Sequence, residues 1–237
     1  MKPVVLIRNE FPETFGIFPE ELSGAGLDVM EVTPRAGHDL PAANEVSGIV
    51  AFGGSMRASD TDKHPWLAGE HALIGAAIEH ETPVLGICLG AQILAIAAGA
   101  NLHVAPSREF GYTEVTPTEE GLADELLSVY DPSARVFHWH EDTFDLPNGA
   151  SLLATGEVVA NQAFRLGRHA WGLQFHCEVD PPLIESWLAS AGEEEVLRWG
   201  KPSDLVREEI AKFQAEEERL SRELVRRFAR VVQAAAG

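Results

Sequence analysis

The sequence predicts an α/β protein: a doubly wound, mostly parallel sheet, with antiparallel strands added in its second half and a helical C-terminal extension. Three observations predict it. Apolar strand-like runs alternate with helical stretches through roughly the first hundred residues, the pattern of parallel strands joined by crossovers. From Asn101 the chain turns to short β-like runs punctuated by Gly and Pro, which suits added, partly antiparallel strands. A long amphipathic stretch beginning near Ser203 closes the chain.

Taken in order, Pro3 to Arg8 reads as a first buried strand, followed by a loop carrying Phe11, Pro12, Phe15 and Phe18 and a helix to Leu22. Leu27 to Thr33 is the second strand. Ser47 to Phe52 is the third, ending in Gly53-Gly54. A glycine pair alone is a plain turn. At the carboxyl edge of a parallel sheet it also lets backbone amides approach a ligand. Trp66 to His80 has helical spacing, with Leu67, His71, Ile74, Ala77 and Ile78 on one face. Thr82 to Ile87 is a buried strand, and Gly90 to Ala98 a helix closed by Gly99.

In the second half, His103 to Ala105, Tyr112 to Thr116, Ala134 to Trp139, Ser151 to Thr155, Asn161 to Leu166 and Ala170 to Phe175 read as strands. Leu122 to Ser128 reads as a short helix. Pro181-Pro182 stops the last strand, and Leu183 to Ala191 suits a helix. Ser203-Asp204 is placed to cap the final helix, which runs to about Ala235. Its stripe is Leu205, Ile210, Phe213, Leu220, Leu224, Phe228, Val231 and Val232. Acids early and bases late suit the helix dipole. The stripe packs on the same domain or serves a partner. No linker or repeat divides the chain, so residues 1–190 are expected to form one domain and residues 191–237 a helical extension packed on it.

Composition narrows the function classes. With 37 acidic and 18 basic residues among 237, the formal net charge is −19, which repels phosphate backbones and argues against nucleic acid. Two cysteines make no disulfide framework. The apolar run Val4 to Ile7 is too short for a signal peptide core or a membrane span, so a cytoplasmic protein with no membrane partner is expected.

The chemistry concentrates at Gly86-Ile87-Cys88-Leu89-Gly90, between a strand and a helix. This is the nucleophile-elbow pattern with cysteine in place of serine. A sulfur held at the positive end of a helix favours the thiolate, the attacking species. A lone cysteine is otherwise a small buried hydrophobe. A thiolate attacking a carbonyl needs a proton shuttle. His176 ends a strand-like run and Glu178 follows two residues later, so on an extended chain both face one way and Cys177 faces the core. A carboxylate beside the imidazole fixes its tautomer and steadies the imidazolium. Each has a plain reading too, as a strand-end histidine and a solvated acid.

GICLGAQILA, GLQFHCEVD and the glycines after SGIVAF together resemble the motifs of the class I (triad) glutamine amidotransferases, in family order, over about Pro3 to Pro182. The resemblance implies a flavodoxin-like fold and hydrolysis of the glutamine side-chain amide to glutamate and ammonia. It implies Cys88 as nucleophile, His176 and Glu178 as its partners, and the backbone amides of Gly54 and Leu89 as the oxyanion hole. Gly53 and Gln92 would help hold the substrate; otherwise Gln92 is a solvent-facing helix residue. The chain is expected to be a free-standing member, similar to the amidotransferase half of GMP synthase. It would serve a separate synthetase subunit that accepts ammonia, or act alone on γ-glutamyl amides or peptides. A non-catalytic binding module is the reading from another class.

One segment departs from the family pattern. In Phe137-His138-Trp139-His140-Glu141-Asp142, Trp139 stands where many relatives have a small polar residue and Glu141 where they have glycine. His140 keeps its place. Trp139, His140 and Glu141 are thus candidates for contacting the substrate, which opens the choice to γ-glutamyl compounds other than glutamine. His138, His140, Glu141 and Asp142 are also metal-ligand types, but nothing nearby in sequence completes a closed site, so no metal and no cofactor are expected.

Overall fold

A computed structural model describes residues 2–10 and 14–236; Phe11 and Pro12 of the predicted loop lie outside the described residues. The strands are β1 (Val4–Ile7), β2 (Val29–Val32), β3 (Gly48–Ala51), β4 (Val84–Ile87), β5 (Leu102–Pro117), β6 (Ala134–Phe144), β7 (Ala150–Gly156), β8 (Ala163–Leu166) and β9 (Ala170–Leu173). The helices are α1 (Phe18–Gly24), α2 (Trp66–Glu79), α3 (Leu89–Ala97), α4 (Glu119–Ala123), α5 (Pro181–Ala191), α6 (Glu193–Arg198) and α7 (Ser203–Ala235). The strands form one mixed sheet in the order β2-β1-β3-β4-β9-β8-β7-β5-β6. From β2 to β9 neighbours are parallel, and from β9 to β6 they are antiparallel.

The inner parallel strands β1, β3, β4 and β9 are short and apolar because both faces are covered, whereas edge strand β2 leaves Met30 and Glu31 exposed. On one face α1 and α7 bring Phe18, Leu22, Leu224, Phe228 and Val232 against Val4, Leu6, Val50 and Leu85. On the other, α2 and α3 bring Leu67, Ile74, Ile93 and Leu94 against Val5, Ile7 and Ile49. A third cluster packs Val206 of α7 and Leu183, Ile184 and Leu188 of α5 on Phe110, Tyr112 and Phe137 of the antiparallel half. Among the described residues no helix is long and apolar enough to cross a membrane.

Several local readings are corrected. The runs at His103 and Tyr112 belong to one strand, β5, which pairs with β6 on both sides of a register shift between Val104 and Glu109. Pro106, which has no N–H to donate, sits in that shift, where a strand tolerates it. The predicted helix over Leu122 to Ser128 does not form. Asp124 adopts an extended conformation and ends α4, and its carboxylate accepts from the N–H groups of Leu126 and Leu127. That side chain offers the backbone a competing partner. Pro181 and Pro182 occupy the first turn of α5, where no N–H is needed, and Asp180 caps it through the N–H of Leu183. On α2 the buried face includes Glu70 and Leu73, while His71 and Ile78 stay half-buried.

The final helix begins at Ser203, but Ser203-Asp204 does not cap it. Instead the Glu193 carboxylate, from α6, accepts the Ser203 N–H. The stripe starts one residue later than predicted: Leu205 is 42% exposed and Val206 fully buried. The helix docks on α1 through Arg222 and Arg226, both bound to the Glu21 carboxylate at 2.6 and 2.7 Å. Burial works against that carboxylate's charge, and the two guanidiniums outweigh it, so its pKa lies below the ordinary glutamate value.

Glu217 ties α7 to β6: its carboxylate accepts the Phe137 N–H at 2.7 Å. Burial pushes its pKa from 4.5 to about 8, against the opposing effect of that hydrogen bond. A carboxyl raised in the folded state stabilises fully below its unfolded pKa, and the stabilisation is lost as pH rises through the folded value. Glu217→Gln keeps the acceptor without the charge. Wild-type stability should therefore fall relative to the variant between pH 5 and 9, by on the order of 2–4 kcal/mol. Thermal or urea unfolding across that range checks it; parallel pH profiles would refute it.

Candidate active site

Between β4 and α3 the chain reverses within one residue, Cys88, at φ 51° and ψ −107°. This is backbone that an L-residue rarely adopts, and it costs on the order of 1–3 kcal/mol. The glycines make the turn sterically possible. A Cβ on Gly90 would lie 2.0 Å from the Ala51 carbonyl oxygen of β3, and one on Gly86 would lie 2.5 Å from the Gly90 oxygen. Hydrogen bonds hold the strained residue at both ends: Cys88 N–H donates to Leu173 O of β9 at 2.7 Å, and Gln92 N–H donates to Cys88 O at 3.1 Å.

The parallel pairing of β4 with β9 sets Ile87 beside Leu173. Both strands end at the same edge, so the residues that follow them meet. The path to His176 differs from the predicted extended strand. β9 stops at Leu173 and the chain bends through Gln174 to Glu178. In that bend His176 N–H donates to Phe137 O at 2.9 Å, while Ile17 N–H donates to Glu178 O at 3.2 Å. The reach between His176 Nδ1 and Glu178 Oε1 is 2.7 Å. Cys88 is the other polar neighbour of the ring, the two side chains meeting at Gly53. Gly53 packs against both, since a Cβ there would lie 3.0 Å from His176 Cε1 and 3.6 Å from Cys88 Cβ.

The electrostatics favour a charged ring. Burial opposes the imidazolium, but the Glu178 carboxylate and the Cys88 sulfur outweigh it and hold the His176 pKa well above the ordinary histidine value. Cys177 is buried too, and burial pushes its thiol well above the usual cysteine range. Both cysteines are free.

A cavity of about 620 Å³ opens over these groups, and every residue proposed from sequence except Leu89 lines it. Leu89 lies just behind, its Cδ2 2.9 Å from where a Gly54 Cβ would be. Gln92 is buried, not solvent-facing: its amide donates to Asp142 O and Gln174 Oε1, both at 3.3 Å. Both ring nitrogens of His140 are engaged inside the protein, Nδ1 at 3.0 Å from Asp142 O and Nε2 at 3.0 Å from Glu109 Oε2. Trp139 is half-buried on the wall, and Glu141 stands at the rim paired with Arg108 at 2.9 Å.

The four metal-ligand types of this segment separate. Glu141 goes to Arg108 and Asp142 to Arg57. In their place β5 supplies Glu109, which the register sets opposite His140. Ligand atoms of Glu109, His138 and His140 all lie within 4.8 Å of one another, a buried trio able to hold a divalent ion. Burial, with His140, His176 and Lys201 nearby, drives the His138 pKa well below the ordinary value, leaving a neutral ring. Glu109 also accepts from Gln162 Nε2 at 2.6 Å.

Sequence reasoning missed Glu109, Gln174, Arg8, Arg57, Trp187 and Trp199. The first two join only through strand pairing, and the two arginines follow unremarkable strand ends. Trp187 carried a usable signal, since it falls at helical spacing from Leu183 and Ile184 on the apolar face of α5; Trp199, just past the end of α6, carried none.

Residues 22–186 match the family model for glutamine amidotransferase class-I. A glutamine amidotransferase-like protein of Salmonella typhimurium is 30% identical over 195 residues, 81% of this chain and 82% of that protein. The GMP synthase of Aeropyrum pernix is 28% identical over 208 residues, 85% of this chain but 36% of that enzyme. Among solved structures, a glutamine amidotransferase of Thermotoga maritima has a TM-score of 0.85 at 30% identity, covering 96% of this chain and 97% of that one.

The elbow makes a sharp steric prediction. Gly90→Ala should destabilise the protein by roughly 2 kcal/mol or more, because the clash is with backbone that cannot swing away. Gly75→Ala, in the open interior of α2 with nothing within 4 Å of its added Cβ, should instead stabilise by about 0.5–1 kcal/mol. Urea unfolding of the two variants beside wild type measures both; equal effects would mean the elbow is looser than described.

Proposed function

Because the chain belongs to the class I glutamine amidotransferase family, we propose that it hydrolyses the side-chain amide of a γ-glutamyl compound, glutamine being the first to test, through a cysteinyl thioester. The observation that carries this is the meeting of Cys88, His176 and Glu178 in one cavity, with 2.7 Å between imidazole and carboxylate.

In this reading the Cys88 thiolate attacks the amide carbon, and the negative charge on oxygen is received by the backbone N–H groups of Gly54 and Leu89. One such donor is typically worth about 10²–10³ in rate. As the C–N bond breaks, its electron pair leaves with nitrogen, which takes a proton from His176. The now neutral imidazole removes a proton from water, whose oxygen attacks the γ-glutamyl thioester. The C–S bond breaks, glutamate leaves, and thiolate and imidazolium are restored. Glu178 holds the ring throughout and favours its charged form. Gly53 leaves room for the ring, and Gln92, Trp139, His140 and Glu141 shape the substrate's surroundings.

A second reading is that the ammonia passes to a synthetase partner, which the likeness to GMP synthase favours. A partner-dependent enzyme would release little ammonia alone and more once the complex forms. A hydrolase would turn over fully by itself.

Ammonia release from glutamine by the isolated protein tests the proposal. Cys88→Ala should lower it by at least about 10³-fold with an unchanged melting temperature. Activity near wild type would remove Cys88 from the chemistry.

The pH profile tests the carboxylate separately. Without Glu178, burial is less opposed and the imidazolium gives up its proton at lower pH. The basic limb of kcat/KM should therefore move down by about one unit or more in Glu178→Gln. An unmoved limb would mean that Glu178 does not act on the ring.

A further inference from the structure

The wall of the cavity beside the proton donor is aromatic, well beyond what ammonia requires. We infer that the site is built for γ-glutamyl amides whose amine half carries an aromatic or extended apolar group, with Trp139, Trp187 and Trp199 as its binding surface. This deepens the proposed thiol hydrolysis and rests on it.

Geometry fixes where the amine leaves. His176 Nδ1 is taken by Glu178, so the ring serves the scissile nitrogen from its other side, next to Cys88. The departing amine therefore emerges beside His176. There the Trp187 indole stands with its ring centre 5.0 Å from that of His176, nearly edge-on at 67°. Trp139 follows at 6.3 Å from Trp187, and Trp199 at 6.1 Å from Trp139. All three line the same cavity and all are half-buried.

Half-buried tryptophans gathered in a concavity are a binding feature, because an indole left facing water forfeits its burial energy. Ammonia carries nothing that could cover them. At about 620 Å³ the cavity falls within the roughly 300–1,000 Å³ range of pockets that enclose drug-sized ligands, far larger than glutamine. The wall is also fixed in place. Phe110 backs Trp139 at 4.6 Å, and the Arg108 guanidinium lies 4.9 Å over the Trp199 ring while pairing with Glu141. Charged groups line the cavity too: Arg8 and Glu10 follow β1 into it, and Arg57, beyond β3, reaches across to Asp142 of β6. The pocket thus offers charged groups to the α-amino and carboxylate ends of the glutamyl half, and an aromatic wall beside His176 to the amine half. Cleavage follows the same balance as for glutamine, the substituted amine leaving with the C–N electron pair and a proton from His176.

The test compares glutamine, γ-glutamyl-methylamide and γ-glutamyl-benzylamide with purified protein, following glutamate release. Ammonia and benzylamine have nearly the same basicity, and methylamine is the most basic of the three, so leaving-group reactivity does not favour the benzylamide over glutamine. The benzylamide should show a kcat/KM at least about tenfold above glutamine, equivalent to about 1.4 kcal/mol. The methylamide should stay near glutamine. Trp187→Ala and Trp199→Ala, each checked for an unchanged melting temperature, should lose about tenfold more on the benzylamide than on glutamine. Trp199 does not touch His176, so its variant keeps the test meaningful if Trp187→Ala disturbs the ring. Glutamine cleaved as well as the benzylamide, or equal losses on all three substrates, would overturn this inference and leave the thiol hydrolase reading standing. No cleavage of any of the three, with no glutamyl adduct on Cys88, would overturn both.

Discussion

The site depends on one pairing, the parallel alignment of β4 with β9. Parallel neighbours deliver their carboxyl ends to the same edge of a sheet. Ile87 stands beside Leu173, so Cys88 and the bend holding His176 emerge together although some ninety residues separate them. The Cys88 N–H to Leu173 O bond ties that pairing to the strained elbow itself. A slip of one residue would turn every side chain of β9 to the opposite face and carry His176 away from the sulfur. The apolar contacts on both sheet faces therefore do more than stabilise: they set the alignment on which the site geometry rests.

Beneath the cavity lies a second constraint, a layer of buried polar groups. Gln92, Gln174, Glu109, His138, His140 and Gln162 are all buried, and each makes at least one hydrogen bond within the group or to its immediate neighbours. Burying such groups is favourable only when they are partnered. Strand pairing supplies many of the partners, since Glu109 faces His140 in the β5–β6 ladder, while His138 Nε2, Gln162 Oε1 and Gln174 Nε2 are left without one among the described residues. The layer joins α3 to β6 through the Gln92 amide, which donates to Asp142 O.

The C-terminal helices complete both the core and the cavity. α7 covers a sheet face with its apolar side, and its arginines hold α1 through Glu21. α5 and the turn after α6 contribute Trp187 and Trp199 to the cavity wall. One extension thus buries the sheet, buttresses Phe137 through Glu217, and shapes the space into which a leaving group departs.

Local chemistry was legible in the sequence. Runs such as Val4 to Ile7 and Val84 to Ile87 mark buried strands by composition alone, and glycines flanking Cys88 mark a sharp turn because no other residue fits there. Helix α7 was visible from its period, though its stripe was placed one residue early. Where a side chain competed with local preference, sequence reading failed: Asp124 ended a helix that propensity would have continued, and Glu193 capped a helix from another element. What the sequence by itself determined is the kind of fold and the identity of the reactive groups, because steric demands and hydrophobic period act between near neighbours. Only the tertiary structure decided that Glu109 meets His140, that His176 reaches Glu178 through a bend rather than a strand, and that three distant tryptophans share one wall. Hydrogen bonds to Phe137 and Ile17 fix the bend, and the other two contacts are made by strand register and helix packing, which bring together residues whose separation along the chain carries no information about their separation in space.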